Sequence, residues 1–200
     1  MKLAALDILK CSCLFLLFCL SCYSIQGQDK REMEFKIRRT ELPAQAHMHL
    51  QPYLHDAKRL RYYKEIDGDK ESFEVKFKKR RLHYSVEFDN SGVLEDVEFK
   101  IQSVDIPEES WTNILRYFKD NFQKYTIKKI QQQYPLQHGD VAKTLEEAFQ
   151  NLILPYINYE LVFAAKKEKG YQQYEILFNA KGQFLKLRKS FVAKYDHVLY

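Results

Sequence analysis

The chain has 200 residues, with 32 Lys and Arg against 27 Asp and Glu, a formal net charge of +5. That balance is too mild for a polyanion-binding tail, and 46% hydrophobic with 14% aromatic residues excludes a disordered chain. All four cysteines (Cys11, Cys13, Cys19, Cys22) lie in the first 22 residues, so the rest of the chain has no internal disulfide, thiol nucleophile or thiolate metal site.

Residues 1–27 read as a signal peptide. Lys2 and Lys10 precede an apolar run from Cys11 to Cys22 that is 12 residues long. A bilayer span needs about 20 apolar residues, so the run suits a secretory core. Ser24, Ile25, Gln26 and Gly27 follow, which places cleavage between Gly27 and Gln28. Leu20-Ser21-Cys22 also resembles the end of a bacterial lipobox, with Cys22 as the lipidated residue. Cys19 stands where Leu or Val is usual three places earlier, which favours soluble export to the periplasm or beyond over a lipid anchor.

Residues 28–41 are charged and read as a patternless lead-in. A first unit spans 42–104. Leu42-Pro43 opens a short helix ending near Pro52, and Arg59 to Ile66 is a strand. Phe73, Val75 and Phe77, then Tyr84, Val86 and Phe88, then Val97, Phe99 and Ile101 alternate with polar residues. Period 2 with one polar face predicts antiparallel strands covered on one side. Asp89-Asn90-Ser91-Gly92 is a hairpin turn with Gly at the position that needs a positive φ.

A second unit spans 105–200. Ile106-Pro107-Glu108-Glu109 opens a helix with Trp111, Ile114, Leu115, Phe118 and Phe122 as its apolar stripe. Tyr125 to Gln133 is a strand, and an inserted helix near 141–154 is capped by Asp140, with Leu145, Ala148, Phe149, Leu152 and Ile153 on one side. The run from Tyr84 to Gly92 aligns without a gap on Tyr174 to Gly182, and Phe73 to Phe77 matches Tyr159 to Phe163. This reads as a duplication. The expected fold is α+β: tandem helix-plus-four-strand units forming one curved antiparallel sheet with helices on one face.

The unit of Leu/Ile-Pro, amphipathic helix, Lys- and Tyr-rich strand and hairpins reading F-E-V-x-F and Y-x-V-E-F-D-x-x-G resembles the PepSY-like, β-lactamase-inhibitor-like domains of exported proteins from Bacteroidetes-type bacteria. The matching segments are Leu42-Pro43 to Ile101 and Ile106-Pro107 to Lys189. The resemblance implies an exported binding or inhibitory module without catalysis of its own.

The sequence carries no G-x-S-x-G, P-loop, dinucleotide fingerprint or H-E-x-x-H. His47, His49 and His55 lack a carboxylate at metal-ligand spacing, and Asp67-Gly68-Asp69 has Gly at the wrong place for a calcium loop. No catalytic residue, metal site or cofactor is expected, and an enzyme is not. Lys76, Lys78, Lys79, Arg80 and Arg81 gather at one hairpin tip, and Lys166, Lys167 and Lys169 at the corresponding tip. Such tips keep sheet edges apart, or attract an anionic partner. Tyr62 and Tyr174 belong to an excess of strand tyrosines, a composition found at protein interfaces. The candidate partner-binding set is therefore Tyr62, Lys78, Lys79, Arg80, Arg81, Lys166, Lys167 and Tyr174, with the bare sheet face between them. The expected partner is an envelope or secreted protein, not nucleic acid. The rival expectation is a carrier of a small apolar ligand between sheet and helices.

Overall fold

The computed structural model describes residues 29–30 and 32–190. The leader, the cleavage site after Gly27 and the lipobox cysteine Cys22 lie outside them. In chain order the elements are β1 (Asp29–Lys30), β2 (Glu32–Ile37), α1 (Ala44–Leu50), β3 (Lys58–Asp67), β4 (Lys70–Lys79), β5 (Leu82–Asp89) and β6 (Leu94–Ile101). They continue with α2 (Glu108–Asn121), β7 (Tyr125–Pro135), α3 (Val141–Phe149), β8 (Asn158–Lys167), β9 (Gly170–Asn179) and β10 (Phe184–Ser190). Among the described residues no helix is long and apolar enough to cross a membrane.

The supposed lead-in is a strand. Met33, Phe35 and Ile37 alternate with Glu32, Glu34 and Lys36, and β2 pairs with β3 from Glu32↔Asp67 to Ile37↔Tyr62. Its charges hid a period of 2.

Nine strands of six residues or more form one antiparallel sheet, and the two-residue β1 joins it by parallel pairing with β10. The order is β1-β10-β9-β8-β7-β6-β5-β4-β3-β2. β1 and β2 stand at opposite ends of that order, yet only position 31 separates them in the chain. The sheet therefore curls until its two edges meet at the N-terminal strand, consistent with the right-handed twist that accumulates over many strands.

The helices cover the convex face. Val75, Val86, Phe88, Val97, Phe99, Tyr159, Leu161, Phe163 and Phe178 are fully buried beneath them. In α2, Ser110, Ile114 and Phe118 are buried at a spacing of four, which places them on one stripe. Phe118 packs on Phe122, Tyr125, Phe163 and Phe178. Trp111 is only half-buried, and Leu115 is 38% exposed, so the true stripe is narrower than the expected one. α3 starts as expected, with Asp140 Oδ1 accepting from the Lys143 N–H at 3.0 Å. It ends at Phe149, because Asn151 turns into the left-handed region at φ 57°. Leu152 and Ile153 lie past that stop and are exposed.

The two Gly-ended turns have the same construction. Asp89 Oδ1 accepts from Ser91 N at 2.8 Å and Val93 N at 2.9 Å. Asn179 Oδ1 accepts from Lys181 N and Gln183 N, each at 3.0 Å. Each turn presses its glycine against a helix start: Gly92 (φ +88) against Ala46 of α1 and Gly182 (φ +73) against Ser110 of α2. Ser110 Oγ also donates to Ala180 O at 2.7 Å and Asn113 Nδ2 to Lys181 O at 2.9 Å, fixing α2 to the sheet.

Candidate functional site

Because alternate side chains point to opposite faces of a strand, burying the apolar set under the helices sends the polar set inward. These residues line a cavity of about 700 Å³. Its wall carries ten carboxylates and six cations, including Glu65, Asp67, Glu74 and Asp96 against Lys70, Lys76 and Arg188. The polar sheet face is thus the wall of a chamber, where an open face on a curved sheet was expected. The acidic excess opposes the positive charge of the whole chain.

Hydrogen bonds and ion pairs knit this wall together. Lys76 bridges Glu34 and Glu74, and Ser85 donates to Glu74. Lys70 Nζ lies 2.6 Å from Glu95 Oε2 and 3.3 Å from Glu87 Oε1. Gln133 Nε2 reaches Asp96 at 3.0 Å and Glu98 at 3.1 Å. Arg188 ties Glu175 to Asp67 across the seam. Burial, then hydrogen bonding to Glu74, pushes the Glu65 carboxyl far above its usual range. Burial also acts on Glu74, but the Glu65 hydrogen bond and the Lys76 charge outweigh it and hold that carboxyl low. Asp96 is pushed up by burial and by Glu87 and Glu160. Glu32, Glu34 and Glu65 bring their carboxylate oxygens within 4.8 Å of one another.

The charge is sorted along the strands. Four antiparallel steps separate β4 from β8, so both strands run the same way. The tips after Lys79 and Lys167 therefore emerge at the same end of the sheet, roughly 20 Å apart along it at about 4.8 Å per strand. Arg80, Arg81, Lys166 and Lys167 are exposed there. Arg59, Arg61, Lys78, His83, Lys100 and Lys129 face inward near the same end. The opposite end of the chamber is the acidic one.

Three expected site residues sit elsewhere. Tyr62 packs against the core, and Tyr174 stacks 5.4 Å from Phe163 with Phe122 nearby, so both belong to the convex, helix-covered side. Period 2 puts them there, since Tyr62 is opposite Val75 and Tyr174 opposite Phe163. Lys79 is held by Asp56, the Tyr53 carbonyl and the Phe149 ring. Its ammonium is engaged. A carrier of an apolar ligand between sheet and helices also does not match this packing. That space is filled by buried rings such as Phe99, Phe118, Tyr134 and Phe163, all at 0% exposure, and the large cavity is polar and on the other face. Sequence reasoning missed the inward carboxylates, although Glu65, Glu74, Glu87 and Glu98 share one strand parity with their neighbours.

No protein-family model matches the chain, and no curated protein is similar to it in sequence. Several solved structures superpose on it at low sequence identity. A DUF2874 family protein from Bacteroides ovatus is 9% identical, with a TM-score of 0.49 over 79% of this chain and 93% of that one. A BLIP-like protein from Bacteroides fragilis is 12% identical, with a TM-score of 0.46 over 79% of this chain and 92% of that one. A structure described as a periplasmic protein from Bacteroides eggerthii is 11% identical, with a TM-score of 0.48 over 74% and 88%.

Proposed function

We propose that this chain is an exported, non-enzymatic binding module that holds an acidic envelope or secreted protein at the basic end of its curled sheet. The observation that carries the reading is the placement of Arg80-Arg81 and Lys166-Lys167 on two tips at one end, beside further inward cations. Two basic prongs flanking a concave mouth attract an acidic surface at long range, and orient it. The leader-like first 27 residues support export, and the periplasmic description of one similar structure agrees with it. We read the matched turns at Gly92 and Gly182, each under a helix start, as the trace of a duplication that placed the two prongs.

Capture from an envelope extract of the native host tests this. Wild type should retain an acidic protein at low salt and release it as salt rises. Arg80→Glu with Arg81→Glu, combined with Lys166→Glu and Lys167→Glu, should abolish retention, whereas Lys36→Glu, on β2, should not. Equal capture by all variants would overturn the reading.

A further inference from the structure

At the hairpin end of the concave face lies a recess of about 360 Å³, within the size range of small-molecule sites. Arg59, Arg61, Lys78, Lys100 and Lys129 line it, with His83 among them, and no carboxylate does. Among the described residues, none of these six side chains takes part in an ion pair or hydrogen bond, whereas Lys76 at the recess edge is engaged by Glu34 and Glu74. Five like charges turned toward one space repel one another and gain nothing in the free protein.

Two irregularities in the sheet increase that crowding. In β3 the register steps from Lys58↔Lys78 to Arg61↔Lys76, and Arg59 takes a left-handed φ of 58°, a conformation uncommon outside glycine. In β7 the register steps from Ile127↔Phe163 to Lys129↔Val162, so that consecutive Lys128 and Lys129 both line the concave face. Bulges re-aim side chains, and strained residues collect at binding sites. Both bulges deliver a cation.

One neutral group narrows the ligand. Gln131 lines the same recess and is 8% exposed. Its Nε2 donates to Glu98 at 2.5 Å, and its Oε1 is buried without a partner. A fully ionised anion with no hydroxyl, such as sulfate, satisfies the cations and leaves that acceptor unmet, at the cost of an unpaired buried polar atom. A ligand with both ionised oxygens and hydroxyl donors satisfies both.

We infer that this recess binds a sugar carrying phosphate or sulfate esters. Arg59 and Arg61 clamp the ester oxygens with their planar forks. Lys78, Lys100 and Lys129 neutralise the charge, and Gln131 Oε1 accepts from a ring hydroxyl. The recess uses none of Arg80, Arg81, Lys166 and Lys167, the residues reversed in the capture experiment, so the two tests read separate sites.

Titration calorimetry of the purified protein at fixed low ionic strength tests it, with glucose 6-phosphate, glucose 6-sulfate, glucose, inorganic phosphate and inorganic sulfate as probes. At least one ester should bind about tenfold or more tightly than its inorganic anion, a difference of about 1.4 kcal/mol, and glucose should not bind. Preference between the two esters identifies the source. Arg61→Ala with Lys100→Ala should weaken ester binding by about tenfold or more. Gln131→Leu should bring the ester down to the affinity of the inorganic anion. Should the double variant unfold, exposed Lys100→Gln alone should still weaken the ester by about threefold. Absence of ester binding, or equal binding of ester and inorganic anion, would overturn the inference, whatever the capture experiment shows.

Discussion

Arg188 of β10 places its Nη1 3.3 Å from the Asp67 Oδ2 of β3, joining residues 121 apart in sequence. Its Nη2 holds Glu175 at 3.2 Å. The contact spans the seam where the curled sheet meets itself, and only two residues of β1 pair with β10 there. Removing it should loosen the seam. Arg188→Met, which keeps the stem and deletes the charge, should cost about 1.5–3 kcal/mol as for hydrogen bonds to charged groups. Urea unfolding measures this, and a cost under about 0.5 kcal/mol would mean the backbone seam suffices.

The Glu65–Glu74 pair sets a pH dependence. In the unfolded chain both carboxyls titrate near the ordinary value of 4.5. Folded, the raised Glu65 keeps its proton well above that pH, while the lowered Glu74 stays ionised below it. Above pH 4.5 the folded pair binds one proton more than the unfolded chain, so stability falls as pH rises. Below it the unfolded chain binds more protons, so stability falls as pH drops. The contribution of the pair peaks near pH 4.5, with a slope up to about 1.4 kcal/mol per pH unit on either side. Glu65→Gln should therefore raise the melting temperature at pH 8 and change it little near pH 4.5. Thermal melts across that range check the sign.

The glycines at the turns should rank by what an added methyl group meets. At Gly182 a Cβ would fall 2.1 Å from the Ser110 carbonyl oxygen, and at Gly92 it would fall 2.9 Å from Ala46 N, both backbone atoms. At Gly68 it would meet nothing within 4 Å. All three have positive φ, which costs a non-glycine residue about 1–2 kcal/mol. Gly68→Ala should show only that cost, Gly92→Ala more, and Gly182→Ala the most, by displacing α2 from the sheet. Denaturation midpoints of the three variants give the order.

Phe118 and Trp111 lie seven residues apart on α2 and differ in burial. Phe118→Ala empties a fully buried site and should cost about 3–5 kcal/mol. Trp111→Ala, half-buried, should cost about half as much or less. Because one core runs under all three helices, both variants should still unfold in one transition. Two transitions by calorimetry would show that the halves are independent.

Local patterns made most of the elements readable. Alternation marked β4, β5 and β6, the repeat pattern marked β8 and β9, Pro107 with Glu108 and Glu109 marked the start of α2, and Asp140 capped α3 as expected. Those signals rest on side-chain period and backbone hydrogen bonding within a few residues. Reading failed where a local cue was masked or ended early. The charges of β2 concealed its alternation, and the left-handed Asn151 stopped α3 before Leu152 and Ile153.

The sequence by itself determined which side chains share a face, because strand parity depends only on position in the chain. It therefore determined that Glu65, Glu74 and Lys76 oppose the apolar set, and that two basic tips exist. Only the tertiary structure decided that this polar face is the inside of a chamber, that the tips share one end, and that Arg59 and Lys129 converge on one recess. Curvature accumulates from twist and bulges over ten strands. It brings Asp67 to Arg188 across 121 residues, a distance over which no local pattern carries information.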